Sequence, residues 1–171
     1  MKLIIGSRER FPGWESFDIV GGMGVDHVGD CRDLSRFREN SVETIYASHV
    51  LEHLHLSDLI PTLHEWKRVL QPGGRVMISV PDMNVLSRLF LDPRVNGEAK
   101  FMVMCIMFGG QLDQHDIHHV GFDFEILGTY LNECGYDTIV RVPTFGLFDD
   151  TSVQKFLGVP ISLNVTAQKP T

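Results

Sequence analysis

The sequence predicts an α/β fold: a mostly parallel, seven-stranded sheet that ends in a C-terminal antiparallel hairpin. Three observations lead there. Short apolar runs stopped by glycine or an acid, such as KLIIG (2–6) and VDHVGD (25–30), have the form of buried parallel strands. From Ser57 to Pro81 an amphipathic helix, a glycine turn and an apolar strand follow one another. The tail holds two extended runs, TIVRV (138–142) and ISLNVTAQ (161–168), that can pair with each other.

The elements follow in order. KLIIG is strand one, closed by Gly6. The next segment, SRERFPGWES, contains Pro12 and Gly13 and is too short and broken for a long crossover helix. FDIV (17–20) is strand two and VDHVGD strand three, so the first crossover helices are shortened or absent. TIYASHV (44–50), rich in β-branched and aromatic residues, is strand four. Ser57 is the expected N-cap of a helix that carries Leu59, Leu63, Trp66 and Leu70 on one face, with Pro61 in its opening turn. QPGG (71–74) stops that helix, and RVMISVP (75–81) is strand five. Asp82 caps MNVLSRLFLD, another helix covers Glu98 to Phe108, and Asp123 caps FEILGTYLNEC with Gly135 as terminator.

The 171 residues make one domain of ordinary hydrophobic (43%) and charged (22%) content. No apolar run approaches the length of about 20 that spans a bilayer. The start turns polar after five residues, so export is not expected. Cys31, Cys105 and Cys134 lack CxxC spacing, which fits a reducing cytoplasm. A formal charge of −7 argues against nucleic acid as a partner.

In open parallel sheets, ligands bind beyond the carboxyl ends of the strands. The residues there are Gly6, Ser7 and Arg8 after strand one, Asp18 at strand two, Asp30, Cys31, Asp33 and Leu34 after strand three, and Ser48 and His49 at strand four. They suit a nucleoside-like ligand: glycine permits close backbone approach, and an acid accepts both ribose hydroxyls.

The series KLIIG, PGWESFD, VGDCRDLSRFRENSVETIYASHVLEHL and EWKRVLQPGGRVMISVPD resembles the class I S-adenosylmethionine-dependent methyltransferases. Within them it looks closest to small, type 11-like methyltransferases associated with surface-glycan or lipopolysaccharide genes. The resemblance implies a Rossmann-like sheet, S-adenosylmethionine as cofactor and S-adenosylhomocysteine as product. It further implies that Gly6, Ser7 and Arg8 meet the methionine part and Asp18 the ribose. Asp30 and Cys31 would face the adenine with Asp33 and Leu34 nearby, and Ser48 and His49 would close over the cofactor. Two departures stand out. The family's glycine loop is reduced to Gly6, with Arg8 or Ser7 left to bind the cofactor carboxylate, and only 12 positions separate Gly6 from Asp18.

A second polar concentration is FGGQLDQHDIHHVGFD (108–123). By the same resemblance, residues 94–123 form a helical and loop insertion that recognises the acceptor, a small molecule or a glycan-like compound. His118 or His119, supported by Asp116, would then be the base that takes a proton from an acceptor oxygen or nitrogen. A solvated loop and a divalent-metal site are the other readings of this segment. His49 and His53 stand four apart, but no third ligand is evident beside them and Glu52 is expected to point elsewhere, so no metal is expected there. Phe145, Phe148 and Phe156 are expected to be exposed, covering the acceptor or forming a homodimer contact. The rival from another class is a catalytically silent cofactor-binding or regulatory protein of the same fold. A nicotinamide-dependent oxidoreductase is disfavoured, because GxGxxG is absent and neither Tyr130 nor Tyr136 has a lysine four residues on.

Overall fold

The first strand, β1 (Lys2–Ile5), buries Leu3, Ile4 and Ile5 in succession in the computed structural model, which describes residues 1–171. Such burial on both faces is what an apolar run without alternation produces. β2 (Glu15–Asp18), β3 (His27–Val28), β4 (Val42–Ser48) and β5 (Leu70–Pro81) extend a parallel set on either side of β1. β9 (Ser162–Gln168) is antiparallel to both β5 and β6 (Asp137–Val142), giving seven strands in the order β3-β2-β1-β4-β5-β9-β6. A separate two-stranded pairing joins β7 (Lys155–Phe156) to β8 (Val159–Pro160).

The helices are α1 (Leu59–Val69), α2 (Met83–Leu91), α3 (Gly97–Phe108) and α4 (Phe124–Glu133), and none lies between β1 and β4. Asp82 and Asp123 cap α2 and α4 through bonds to backbone N–H groups, as expected. Two details differ. Ser57 does not cap α1: its hydroxyl bonds to the Asp58 carboxylate, and two 3-10 turns, Leu51–His53 and Leu56–Asp58, lead into the helix. QPGG lies within β5, where the pairing with β4 shifts between Val42 and Thr44. Gly73 takes φ +74°, and a Cβ on Gly74 would fall 2.8 Å from the Gln71 carbonyl, so glycines that read as a turn serve as an irregularity in a strand.

One face of the sheet packs on α1 and α4 through Ile5, Ile45, Ile78, Leu63, Trp66 and Leu127. Across the opposite face runs the segment after β6. Phe145 and Phe148 lie 5.4 and 4.8 Å from the ring of Tyr46, Phe148 also meets Phe11 and Trp14, and Asp150 accepts a 2.7 Å bond from the Tyr46 hydroxyl. The expectation that these phenyl groups face solvent is therefore corrected. They keep Tyr46 at 1% exposure where a crossover helix is missing, and Phe156 packs on the small cluster of Leu86, Val103 and Ile161. No helix is long and apolar enough to cross a membrane.

Candidate functional site

The strand order reverses between β1 and β4, because the chain builds outward to β3 and then returns to the other side of β1. Beyond the carboxyl ends of these strands lies a cavity of about 380 Å³. Its floor is Ile5 and Gly6 from β1, Phe17 and Asp18 from β2, and His49 and Val50 after β4. Gly6 turns at φ +79°, and a Cβ there would stand 2.5 Å from Val50 Cγ2, so both the backbone conformation and the packing of Val50 require glycine at this point of the cavity floor. A second cavity of about 400 Å³, lined by Lys2, Trp14, Thr44 and Arg75, lies at the amino ends of β1 and β4, the edge that parallel sheets do not use for ligands.

On the β2 side the Asp18 side chain is 9% exposed, and its Oδ1 accepts a 2.7 Å bond from Val20 N–H while standing 3.5 Å from Arg8 Nε. Its Oδ2 has no hydrogen bond within the chain. After β3, Arg32 grips Asp30 at 2.6 Å and Asp58 at 2.8 Å, bridging the cavity mouth. That guanidinium holds the Asp30 carboxyl below its ordinary range, and the same pairing raises Arg32. The Cys31 carbonyl accepts a 2.9 Å bond from Trp66 Nε1, which ties this turn to the core, and burial together with Asp30 pushes the Cys31 thiol up to about 12.

His49 has φ +55°, the left-handed region that a non-glycine residue rarely takes. Three contacts hold it: its N–H donates to Ser79 O, Nε2 meets Ser162 Oγ at 3.0 Å, and Nδ1 stands 3.1 Å from Glu52 Oε1. Glu52 does not point away, as the sequence suggested. The 3-10 turn over Leu51–His53 directs it inward to 1% exposure. It lies with His53 and His118, all three ligand-capable atoms within 4.8 Å of one another.

Of the residues expected from sequence, Gly6, Arg8, Asp18, Asp30, Cys31, His49 and His119 line the cavity. The others lie off it. Ser7 bonds within its own turn to Glu9, Asp33 accepts from Ser35 N–H, Leu34 is fully buried in the core, and Ser48 meets Thr151 on the other face. Asp116 accepts a 3.3 Å bond from Leu112 N–H and shapes the loop, while the half-buried His118 ring packs 4.8 Å from His53, its pKa lowered by burial. Sequence reasoning missed Arg32, Asp58, His53, His55, Gln114 and His115, which complete the wall. The run HDIHH was the one signal for the last of these; the pairing of Arg32 with Asp58 across 26 positions left none.

A model of the methyltransferase domain family matches residues 9–78. None of the curated proteins matches the chain. Among solved structures, the CurJ carbon methyltransferase superposes with TM-score 0.63 at 16% identity, covering 99% of this chain and 48% of that one. A SAM dependent methyltransferase from Archaeoglobus fulgidus gives 0.62 at 14%, covering 98% and 86%. Human N-acetylserotonin methyltransferase in complex with SAM gives 0.55 at 11%, covering 99% and 48%. The present chain thus spans about half the length of the first and third, and at these identities the likeness is one of fold.

Because burial pushes the Cys31 thiol up to about 12 and leaves little thiolate at pH 8, iodoacetamide is expected to label it much more slowly in the folded protein than after denaturation. Peptide mass mapping before and after urea checks this.

Proposed function

On a class I S-adenosylmethionine-dependent methyltransferase fold with a matching methyltransferase core, we propose that this protein methylates an oxygen or nitrogen of a small-molecule or glycan-like acceptor. The observation that carries the reading is the cavity at the β1–β4 reversal, with a nearly buried carboxylate, Asp18, on its β2 side. Bound S-adenosylmethionine supplies an electrophilic methyl on a sulfonium, and S-adenosylhomocysteine leaves.

The residues present fit that cofactor. Asp18 keeps Oδ2 for ribose hydroxyls while Val20 N–H fixes Oδ1. Gly6 brings backbone without a side chain to the cavity floor, and Arg8 offers a guanidinium to the cofactor carboxylate. Cys31 meets the adenine by its backbone and neutral thiol, since the Asp30 carboxylate is already held by Arg32. Residues 94–123 serve as the acceptor segment, for Gln114, His115 and His119 bring that loop onto the cavity wall. His119, its ring 4.1 Å from His55, takes the acceptor proton, and Asp116 holds the loop in shape. A cytoplasmic setting suits the three free thiols. One observation favours the silent binding protein as a second reading: Arg8 already stands 3.5 Å from Asp18, in a loop with a single glycine.

Calorimetry with S-adenosylhomocysteine is expected to give a micromolar Kd that Asp18→Ala weakens about 10- to 100-fold, the loss of a charge-assisted hydrogen bond. Absence of heat at millimolar ligand would refute the cofactor assignment. With an acceptor that turns over, His119→Ala is expected to lower kcat about 100-fold or more at neutral pH while leaving cofactor affinity in place. An unchanged kcat would remove His119 as the base.

A further inference from the structure

We infer that Glu52, His53 and His118 form a binding site for a divalent first-row transition metal of the zinc type, in the wall shared by the cavity and the 109–121 loop.

Glu52 supplies the first observation. Its carboxylate is 1% exposed; neither oxygen makes a well-aligned hydrogen bond, and the one side chain at ion-pair distance is His49, whose Nδ1 stands 3.1 Å from Oε1. A buried carboxylate with one oxygen left unpaired costs several kcal/mol unless a cation meets it. Beside it, His118 Nδ1 is also buried and unpartnered. The third side chain is already oriented: His53 Nδ1 stands 3.1 Å from the Ile117 carbonyl, and donating there leaves Nε2 unprotonated and free to ligate. His119 and Val120 N–H both donate to the Glu52 carbonyl, so the residue that brings the carboxylate also anchors the loop that brings His118.

Two imidazoles and one carboxylate are a donor set for zinc, cobalt or ferrous iron, whereas magnesium and calcium want more oxygen ligands. The ligand-capable atoms lie within 4.8 Å of one another. The edge of a tetrahedron with 2.0–2.1 Å bonds is about 3.3 Å, so closing on an ion takes side-chain movement of roughly an ångström. Glu52 can give one oxygen to the metal while His49 Nδ1, 3.1 Å from Oε1, supports the other. Of the three, His53 lines the cavity, so a further ligand such as an acceptor oxygen would reach the ion from that side. That use rests on the methyltransferase reading; the metal site itself does not. The competing account is an ion pair of Glu52 with a protonated His49, which needs no metal.

Chelator-stripped protein is titrated with Zn²⁺ by calorimetry, and with Co²⁺ by visible absorption, in the absence of cofactor. One equivalent is expected to bind with micromolar or tighter Kd and to raise Tm, with Co²⁺ bands of a low-coordinate ion. Glu52→Gln and His118→Ala should each weaken binding at least about tenfold. His115→Ala, which changes an exposed histidine of the same loop, should not. Failure to bind at about 1 mM, or binding lost in His115→Ala and unchanged in the other two, would overturn the site. Circular dichroism and S-adenosylhomocysteine affinity are measured on every variant. Metal failure with S-adenosylhomocysteine binding intact removes the metal site alone; the reverse pattern removes the cofactor reading alone.

Discussion

Pairing of β1 on both edges, with β2 through Leu3–Glu15 to Ile5–Phe17 and with β4 through Lys2–Thr44 to Ile5–Ala47, is the constraint on which the rest of the molecule depends. Because the chain first builds to one side of β1 and then returns to the other, the two connections leave the strand ends in opposite directions and a crevice opens between them. Gly6 and His49 sit at that divergence, and both hold positive φ values. The glycine does so at no steric cost. The histidine is kept there by Ser79, Ser162 and Glu52, contacts that tie β4, β5, β9 and the turn after β4 to a single point on the cavity wall.

A parallel sheet must be covered on both faces, and this chain has no helix between β1 and β4 to cover the face away from α1. Aromatic packing takes its place. Trp14, Tyr46, Phe145 and Phe148 form one cluster on the face away from α1, so the segment after β6 closes the sheet instead of closing the cavity. The cavity is closed by other means: the Asp30–Arg32–Asp58 bridge on one side and the 109–121 loop, fastened to Glu52, on the other.

Much of this was legible in the sequence because periodicity and capping act locally. Leu59, Leu63 and Trp66 mark α1 by spacing alone, Asp82 and Asp123 mark helix starts, and glycine-stopped apolar runs mark β1 and the end of β3. Part of the cavity wall was legible for the same reason: Gly6, Asp18, Asp30, Cys31 and His49 follow strands, and strand ends are where ligands sit. What escaped depends on contacts between distant segments. Glu52 was expected to face away, as on a helix that continues from β4, but a 3-10 turn rotates it inward. Arg32 meets Asp58, and His118 meets His53, only after the chain folds. Gly73 and Gly74 carried the signal of a turn, and they lie in the stretch of β5 where the register with β4 shifts, tied by backbone bonds to Lys169.

The central claim is that the crevice at the β1–β4 reversal holds the cofactor with one glycine in place of a glycine-rich loop. A crystal structure of the complex with S-adenosylhomocysteine tests it most directly. The account predicts the ribose on Asp18, the adenine against Cys31 and the amino-acid end over Gly6 near Arg8. Ligand seated instead in the cavity by Lys2 and Trp14, or in the crevice with the ribose away from Asp18, would contradict it.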